Sequence, residues 1–451
     1  MSSDHLPEGW TVAKISDITI KGEQRKPSSE ETFTYVDIGS IDRDRKCISS
    51  PQYLAGNNAP SRARKVIKTG DVLVSLTRPN LNAVALVPDE LDNQIASTGF
   101  EVVKPLSVDS RFVFALTKSK DFIDSISGVV QGALYPAAKS SDVQAYTFQL
   151  PALAEQKVIA DKLDTLLAQV ETTKARLELI PEILKNFRQS VLADAVSGKL
   201  NAGDYQQAPV YKALGDVGVE VKTGPFGSAL HKSEYISGGI PVINPMHISN
   251  GTIVASQQMT IPKAKYDELE AWHLKIGDVV VGRRGEMGRA AVVNYKGEML
   301  CGTGSMILRT PKNSLPKYLE IILRSPLAVE YFTSNSVGST MVNLNQKIIK
   351  SLQVHFPSQE EQTEIVRRVE KLFAYADKVE AQVKTAQARV NQLTQSILAK
   401  AFRGELTANW RAANPELISG ENSAEALLVI IKNERAKLSQ TKKGRGKSVE
   451  N

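Results

Sequence analysis

The chain has 451 residues, 42% hydrophobic and 23% charged. That is ordinary globular usage, which excludes wholesale disorder and leaves room for about three domains. Lysine plus arginine number 56 against 49 acidic residues, for a net charge of +7 and a pI near 9.1, an excess that permits nucleic-acid binding without requiring it.

Two distant cysteines, Cys47 and Cys301, and five scattered histidines exclude a disulfide scaffold, a cysteine-cluster zinc site and a multi-histidine metal centre. They suit a reducing, cytoplasmic setting. No run of eighteen apolar residues marks a membrane span. The opening MSSDHLPEGW has neither the basic start nor the apolar stretch of a signal peptide.

In chain order, residues 35–38 read as a short strand. Ser61-Arg62-Ala63-Arg64-Lys65 offers three cations, Arg62, Arg64 and Lys65, as candidate phosphate contacts, with plain surface charge as the alternative. Residues 68–75 read as a Gly70-Asp71 turn feeding a β-branched strand. The loop that follows carries Thr77, Arg78, Asn80 and Asn82. Arginine can bond guanine bidentately and asparagine adenine, so this loop is a candidate base reader; a solvated turn charge is the other reading of Arg78. A strand is expected at 83–87 and a helical stretch at 110–127. Gln131, Tyr135 and Lys139 then sit in a small, polar segment suited to base edges and phosphates, or to a helix N-cap.

The next segment begins a long amphipathic helix. Ile159, Leu163, Leu166, Val170, Thr173, Leu177, Ile180, Leu184, Phe187 and Val191 recur at alternating steps of four and three, the period of a coiled-coil seam. Pro181 removes an N–H within it and should kink or turn the helix.

From here the chain repeats itself. Pro151-Ala-Leu-Ala-Glu155-Gln156 returns 206 residues later as Pro357-Ser-Gln-Glu-Glu361-Gln362, and the offset holds without a gap for the next forty residues. Gly70-Asp71 has its counterpart in Gly277-Asp278, and Ile15-Ser-Asp17-Ile18 in Leu214-Gly-Asp216-Val217. The second copy therefore supplies equivalent candidates: Lys263 and Lys265; then Arg283, Arg284 and Arg289 in the loop after the Gly-Asp strand; then Ser339, Asn343, Asn345, Gln346 and Lys347 in the amide-rich segment. Strands are expected at 242–244, 290–293 and 306–308, and a helix at 316–334. The second seam runs through Ile365, Val369, Leu372, Ala376, Val379 and Val383, with Ala386, Val390, Leu393 and Ile397 beyond. An ordinary amphipathic helix against a core is the alternative, but two equal, duplicated seams make each the natural partner of the other.

The expected fold class is α+β: two tandem α/β globular domains separated by long helices that pair as an antiparallel coiled coil, with pseudo-two-fold symmetry. The boundaries are 1–150 and 206–356 for the globular domains, 151–205 and 357–406 for the helical regions, and 407–451 for a partly disordered, basic tail. Such a chain suits duplex DNA, whose own two-fold relations accept two heads at fixed separation. Residues 159 to 191 span about 48 Å of helix, or about 14 base pairs.

Catalytic motifs are missing. There is no GxxxxGK[ST] loop, no Ser/His/Asp order, and no Asn/Asp-Pro-Pro-aromatic tetrapeptide of adenine methyltransferases. Asn244-Pro245-Met246-His247 and Asn414-Pro415-Glu416 match the last only superficially. The two Gly-Asp pairs read as turns rather than catalytic carboxylates.

Leu6-Pro-Glu-Gly-Trp10, the stretch from Leu153-Ala-Glu155-Gln156 to Leu200, the Gly-Asp strands and the stretch from Gln362 to Leu406 together resemble the specificity subunits of type I restriction-modification systems. Gln395-Ser-Ile-Leu-Ala-Lys-Ala-Phe-Arg-Gly-Glu-Leu406 with Asn409-Trp410-Arg411 resembles the type IA subgroup. The resemblance implies two target recognition domains that each read half of a bipartite, asymmetric site in double-stranded DNA. It implies helices that set the unread gap and dock two methyltransferase subunits, with two motor-nuclease subunits joining for restriction. S-adenosylmethionine, ATP and Mg would then sit on those partners, and this chain would be non-catalytic by itself. A coiled-coil interaction scaffold without DNA specificity is the alternative function.

Overall fold

The computed structural model describes residues 6–128, 137–201, 210–336 and 343–446. They form two compact units, one from residues within 1–176 and 386–451, the other from 177–385.

In the first unit Val72–Ser75 is the middle strand of a three-stranded sheet, between Phe100–Val103 and Val84–Leu86, both antiparallel to it. A second sheet orders Gln52–Ala55, Thr32–Val36, Ile95–Ser97 and Ala63–Val66, with one parallel pairing, Tyr35 beside Ile95. A short hairpin joins Ile41–Asp42 to Cys47–Ile48. Three helices follow: α1 (Ser110–Thr117), α2 (Lys120–Ser127) and α3 (Ser140–Ala145). Thr147–Leu150 then pairs with Thr11–Lys14 and leads into α4 (Leu153–Val196).

The second unit repeats this plan. Val279–Gly282 lies between Ser305–Arg309 and Ala290–Val292, Ile240–Ile243 pairs in parallel with Leu300–Cys301, and Ile248–Ser249 forms a hairpin with Thr252–Ile253. After α5 (Lys263–Glu268) come α6 (Pro316–Arg324), α7 (Pro326–Asn335) and α8 (Gln346–Lys350). Gln353–His355 pairs with Tyr211–Ala213 and leads into α9 (Gln359–Phe402). α10 (Ala408–Ala413) and α11 (Ala424–Gly446) close the chain.

Repeated side chains do repeated jobs. Gly70 and Gly277 both have positive φ, 81° and 88°, a conformation that glycine adopts without a Cβ penalty. Asp71 and Asp278 each accept the backbone N–H three residues upstream, at 2.8 and 2.9 Å. Asp71 also faces Lys104, and Asp278 accepts from Arg309 Nε at 2.8 Å, so these aspartates fasten a turn to the neighbouring strand. Gln156 Oε1 accepts from Asp109 N at 3.0 Å, and Gln362 Oε1 from Leu315 N at 2.8 Å; each glutamine's Nε2 donates to the proline carbonyl five residues earlier. The glutamine of the duplicated motif thus ties each long helix to the start of α1 or α6.

Each helical stretch read as continuous is two helices. Ser119 and Ser325 interrupt them, accepting Phe122 N and Ala328 N at 3.3 Å. A serine N-cap restarts the helix where its hydroxyl satisfies an otherwise orphaned amide.

α4 and α9 pair antiparallel. In the first unit Ile159 and Leu163, near the start of α4, share a buried cluster with Leu398 and Ala401, near the end of α9. In the second, Val191, Leu192 and Ala195, near the end of α4, share one with Ile365 and Val369, near the start of α9. Arg188 Nη2 adds bonds to Asp377 and Glu380 at 2.7 and 3.0 Å. Of the seam positions, Ile159, Leu163, Val170, Ile365, Val369 and Val383 are buried, while Leu166, Leu177, Leu372 and Val379 are half-buried. Thr173 and Leu393 depart from the expected seam: both are exposed, and the Thr173 hydroxyl donates to Gln169 O at 2.8 Å. Helix α4 continues past Pro181.

The segment after α9 differs from the expected tail. Ile418, Ala424, Leu427 and Ile431 are buried, and the last three join the cluster that holds Trp10, Ile15 and Ile18. Glu155, fully buried, accepts Trp10 Nε1 at 2.7 Å, Thr407 Oγ1 at 2.6 Å and Arg411 Nη2 at 3.0 Å. That network gives the chain's opening LPEGW and its later NWR a common purpose. Of the basic residues at 442–447, Lys447 lies outside the described residues.

Candidate nucleic-acid interface

Two segments flagged separately in each repeat come together. In the first unit Thr77 bridges Ala137, and Ala138 N donates to Leu76 O at 2.8 Å. In the second, Arg284 bridges Asn343, and Leu344 N donates to Arg283 O at 2.9 Å. The loop leaving the Gly-Asp strand and the segment entering α3 or α8 therefore form one surface in each unit.

Within the first of these surfaces Thr77, Arg78 and Asn80 are exposed. Ser75 Oγ donates to Thr77 O at 2.9 Å, which fixes the exit of the strand. Lys139 is exposed beside the N-terminus of α3, its N–H donated to Asp142 Oδ2 at 2.8 Å. Gln131 and Tyr135 lie outside the described residues. Asn82 is buried at 7% exposure; its Nδ2 donates to Thr117 O at 3.3 Å and its Oδ1 has no partner. It anchors the loop rather than presenting an edge to solvent.

Arg62 is exposed and Arg64 half-buried. Lys65 is turned inward, donating to Phe100 O at 2.6 Å and Glu101 Oε2 at 3.2 Å, an engagement that a phosphate would have to displace.

In the second unit Arg283 is half-buried, with Nε donating to Asn343 Oδ1 at 3.0 Å. Burial, and then the neighbouring Arg284 charge, lower its pKa, so an anion arriving there gains an incompletely compensated cation. Arg284 is exposed. Arg289 donates through Nε and Nη2 to Glu286 Oε2 and through Nη1 to Pro245 O at 3.2 Å, which braces the loop. Asn345 caps α8 by accepting Ile348 N at 2.9 Å, and Gln346 Nε2 donates to Thr223 Oγ1 at 3.2 Å. Lys347 is exposed; Ser339 lies outside the described residues. Lys263 pairs with Asp267 and Glu298, and Lys265 with Glu234 and Glu268. Both are neutralised, each by one carboxylate at helical spacing and one distant in sequence, Glu298 and Glu234.

Two lysines that nothing in the sequence singled out border the first loop. Lys46, in the 41–48 hairpin, donates from Nζ to Asn82 O at 2.7 Å. Lys118, at the C-terminal cap of α1, holds Nζ 4.3 Å from the Phe114 ring centroid. Only the Phe114–Lys118 spacing of one helical turn hinted at the second contact.

The model of the type I restriction modification DNA specificity domain matches residues 7–182 and again 210–386. The EcoKI specificity subunit of Escherichia coli K12 is 37% identical over 468 aligned residues, covering 99% of this chain and 100% of that protein. The StySPI specificity subunit of Salmonella potsdam is 35% identical, covering 97% of each. Among solved structures, the HsdS subunit of Thermoanaerobacter tengcongensis superposes with a TM-score of 0.66 at 27% identity, covering 89% of this chain and 99% of that one. A chain from a study of complex assembly and conformational transition of the type I R-M system gives 0.71 at 26% identity, with the same coverage.

Proposed function

This chain belongs to the family of type I restriction-modification specificity subunits, and from that premise we propose that it reads a bipartite, asymmetric site in double-stranded DNA, one half-site per unit. The observation that carries this reading is the repeated surface: in each unit a loop with exposed arginine leaves the Gly-Asp strand and is bridged to the segment before the next helix. Arginines on loops braced by a rigid sheet suit bidentate contacts to guanine, and exposed lysines beside them suit phosphates. α4 and α9, 44 residues each, would act as the ruler for the gap that neither unit reads. Their outer faces would dock two adenine-N6 methyltransferase subunits, and two motor-nuclease subunits would join for restriction. In this division of labour S-adenosylmethionine, ATP and Mg belong to the partners, adenine is flipped out by a methyltransferase subunit, and this chain contributes address rather than chemistry. The setting would be the bacterial or archaeal cytoplasm. No helix among the described residues is long and apolar enough to cross a membrane.

The test is selection from a randomised duplex pool by the chain assembled with its methyltransferase subunits, followed by sequencing. Two short defined blocks separated by an undefined gap of fixed length support the reading. A single contiguous motif overturns it, and absence of DNA affinity would favour a protein-binding scaffold.

A further inference from the structure

We propose that Lys46 and Lys118 form a phosphate-binding pair for duplex DNA beside the Arg78 loop of the first unit, without counterpart among the described residues of the second. The inference rests on the DNA-reading function proposed above and adds to it a specific backbone clamp.

Lys46, Arg78 and Asn82 have φ of 56°, 50° and 46°. Non-glycine residues held in the left-handed region are strained, and such strain gathers where a structure positions functional groups. Two of these are linked: Lys46 Nζ donates to Asn82 O, and Asn82 Nδ2 reaches on to Thr117 O, next to Lys118. Gln395 Nε2 donates to Lys118 O at 3.1 Å and its Oε1 accepts from Lys120 N at 2.9 Å, which fixes the turn that carries Lys118.

Neither lysine has a carboxylate within ion-pair distance among the described residues, whereas Lys65, Lys104 and Lys120 each do. The charged groups facing Lys46 are Asp42, Asp44 and Arg43; those facing Lys118 are Asp164 and Lys46 itself. Asp164 is already bonded to Arg111 Nη1 at 3.0 Å. Burial lowers the pKa of Lys46, and burial together with the Lys46 charge brings Lys118 down to about 8. Lys46 and Lys118, both half-buried, without an ion-pair partner among the described residues and connected through Asn82, form a site that a phosphate would complete. The second unit has no such pair among its described residues. Arg324 takes the position of Lys118, and its Nη1 donates to buried Glu320 at 2.8 Å.

The pair makes binding consume protons. Lys118 is partly neutral in the free chain near pH 8, and a phosphate favours its charged form, so affinity falls as pH rises through about 8. One lysine restored toward its ordinary pKa gives about a tenfold loss of affinity between pH 7 and 9. The test uses the full chain and a random-sequence duplex, with binding measured against salt and pH. Lys46→Met and Lys118→Met are expected to lower the slope of log affinity against log salt by about one each. Lys118→Arg should keep the slope and flatten the pH dependence, because arginine stays charged. Lys120→Met, at an exposed neighbour paired with Asp124, should change neither. Unaltered slopes in both methionine variants, with the wild type binding DNA normally, overturn the pair. A wild-type chain with no affinity for duplex DNA overturns the DNA-reading function and this clamp with it.

Discussion

Arg411→Ala tests how the end of the chain is fastened to its beginning. Glu155 is 0% exposed and Arg411 12%. The guanidinium gives Glu155 bonds from Nε and Nη2 at 3.1 and 3.0 Å, donates to Gly404 O at 2.6 Å, and lies 5.4 Å from the Trp10 ring centroid. Removing one partner of a buried ion pair costs about 3–5 kcal/mol, because the remaining charge stays desolvated. Trp10 and Thr407 still donate to Glu155, so the lower figure applies, about 3 kcal/mol or roughly a hundredfold in an opening equilibrium. The assay is native-state hydrogen exchange. Amides at 424–431, on the helix that Trp10 and Leu427 bury together, should lose protection by that factor, while those of Val279–Gly282 in the second unit keep theirs. Arg411→Lys should recover less than half, since an ammonium cannot reproduce the fork or the stacking. Unchanged protection at 424–431, or an equal loss at 279–282, would refute the reasoning.

Three further outcomes are expected. Leu163→Ala, at a buried seam position, should cost about 2–5 kcal/mol by chemical denaturation, whereas exposed Thr173→Ala should stay within about 0.5 kcal/mol; equal effects would refute the assigned register. Gly70→Ala and Gly277→Ala should each cost about 1–2 kcal/mol, since φ of 81° and 88° forces a Cβ into the left-handed region; a cost at only one of them would contradict the equivalence of the two turns. Gln156→Ala and Gln362→Ala should each expose an amide at the start of α1 or α6, at about 1–3 kcal/mol, read as local loss of exchange protection at Asp109 or Leu315.

The duplication was legible because it lives in local patterns. Gln156 and Gln362, Gly70 and Gly277, and the four-three spacing of Ile159 or Ile365 are all readable from neighbours in sequence, and the antiparallel helices follow from two equal seams. The interruptions at Ser119 and Ser325 were hidden within runs that look continuously helical. Thr173 leaves the seam at its own position only, since Leu184 and Val191, further along the same four-three ladder, are buried. What failed to show was long-range pairing. Glu101 neutralises Lys65 from 36 residues away and Glu298 neutralises Lys263 from 35, so surface lysines that looked alike differ in availability. Lys46 and Lys118 depend on a backbone φ and on a hairpin-to-helix approach, neither of which leaves a motif. Nor did composition hint that Ala424, Leu427 and Ile431 would be core, because the cluster they fill is built from Trp10, Ile15 and Ile18, some four hundred residues earlier.

The most direct measurement of the central claim, two reading units on one chain, is selection from randomised duplexes by the assembled complex carrying Arg78→Ala or Arg284→Ala. Each variant is expected to blur one block of the selected site and leave the other sharp, with the two variants blurring different blocks. Loss of definition in the same block for both would contradict it.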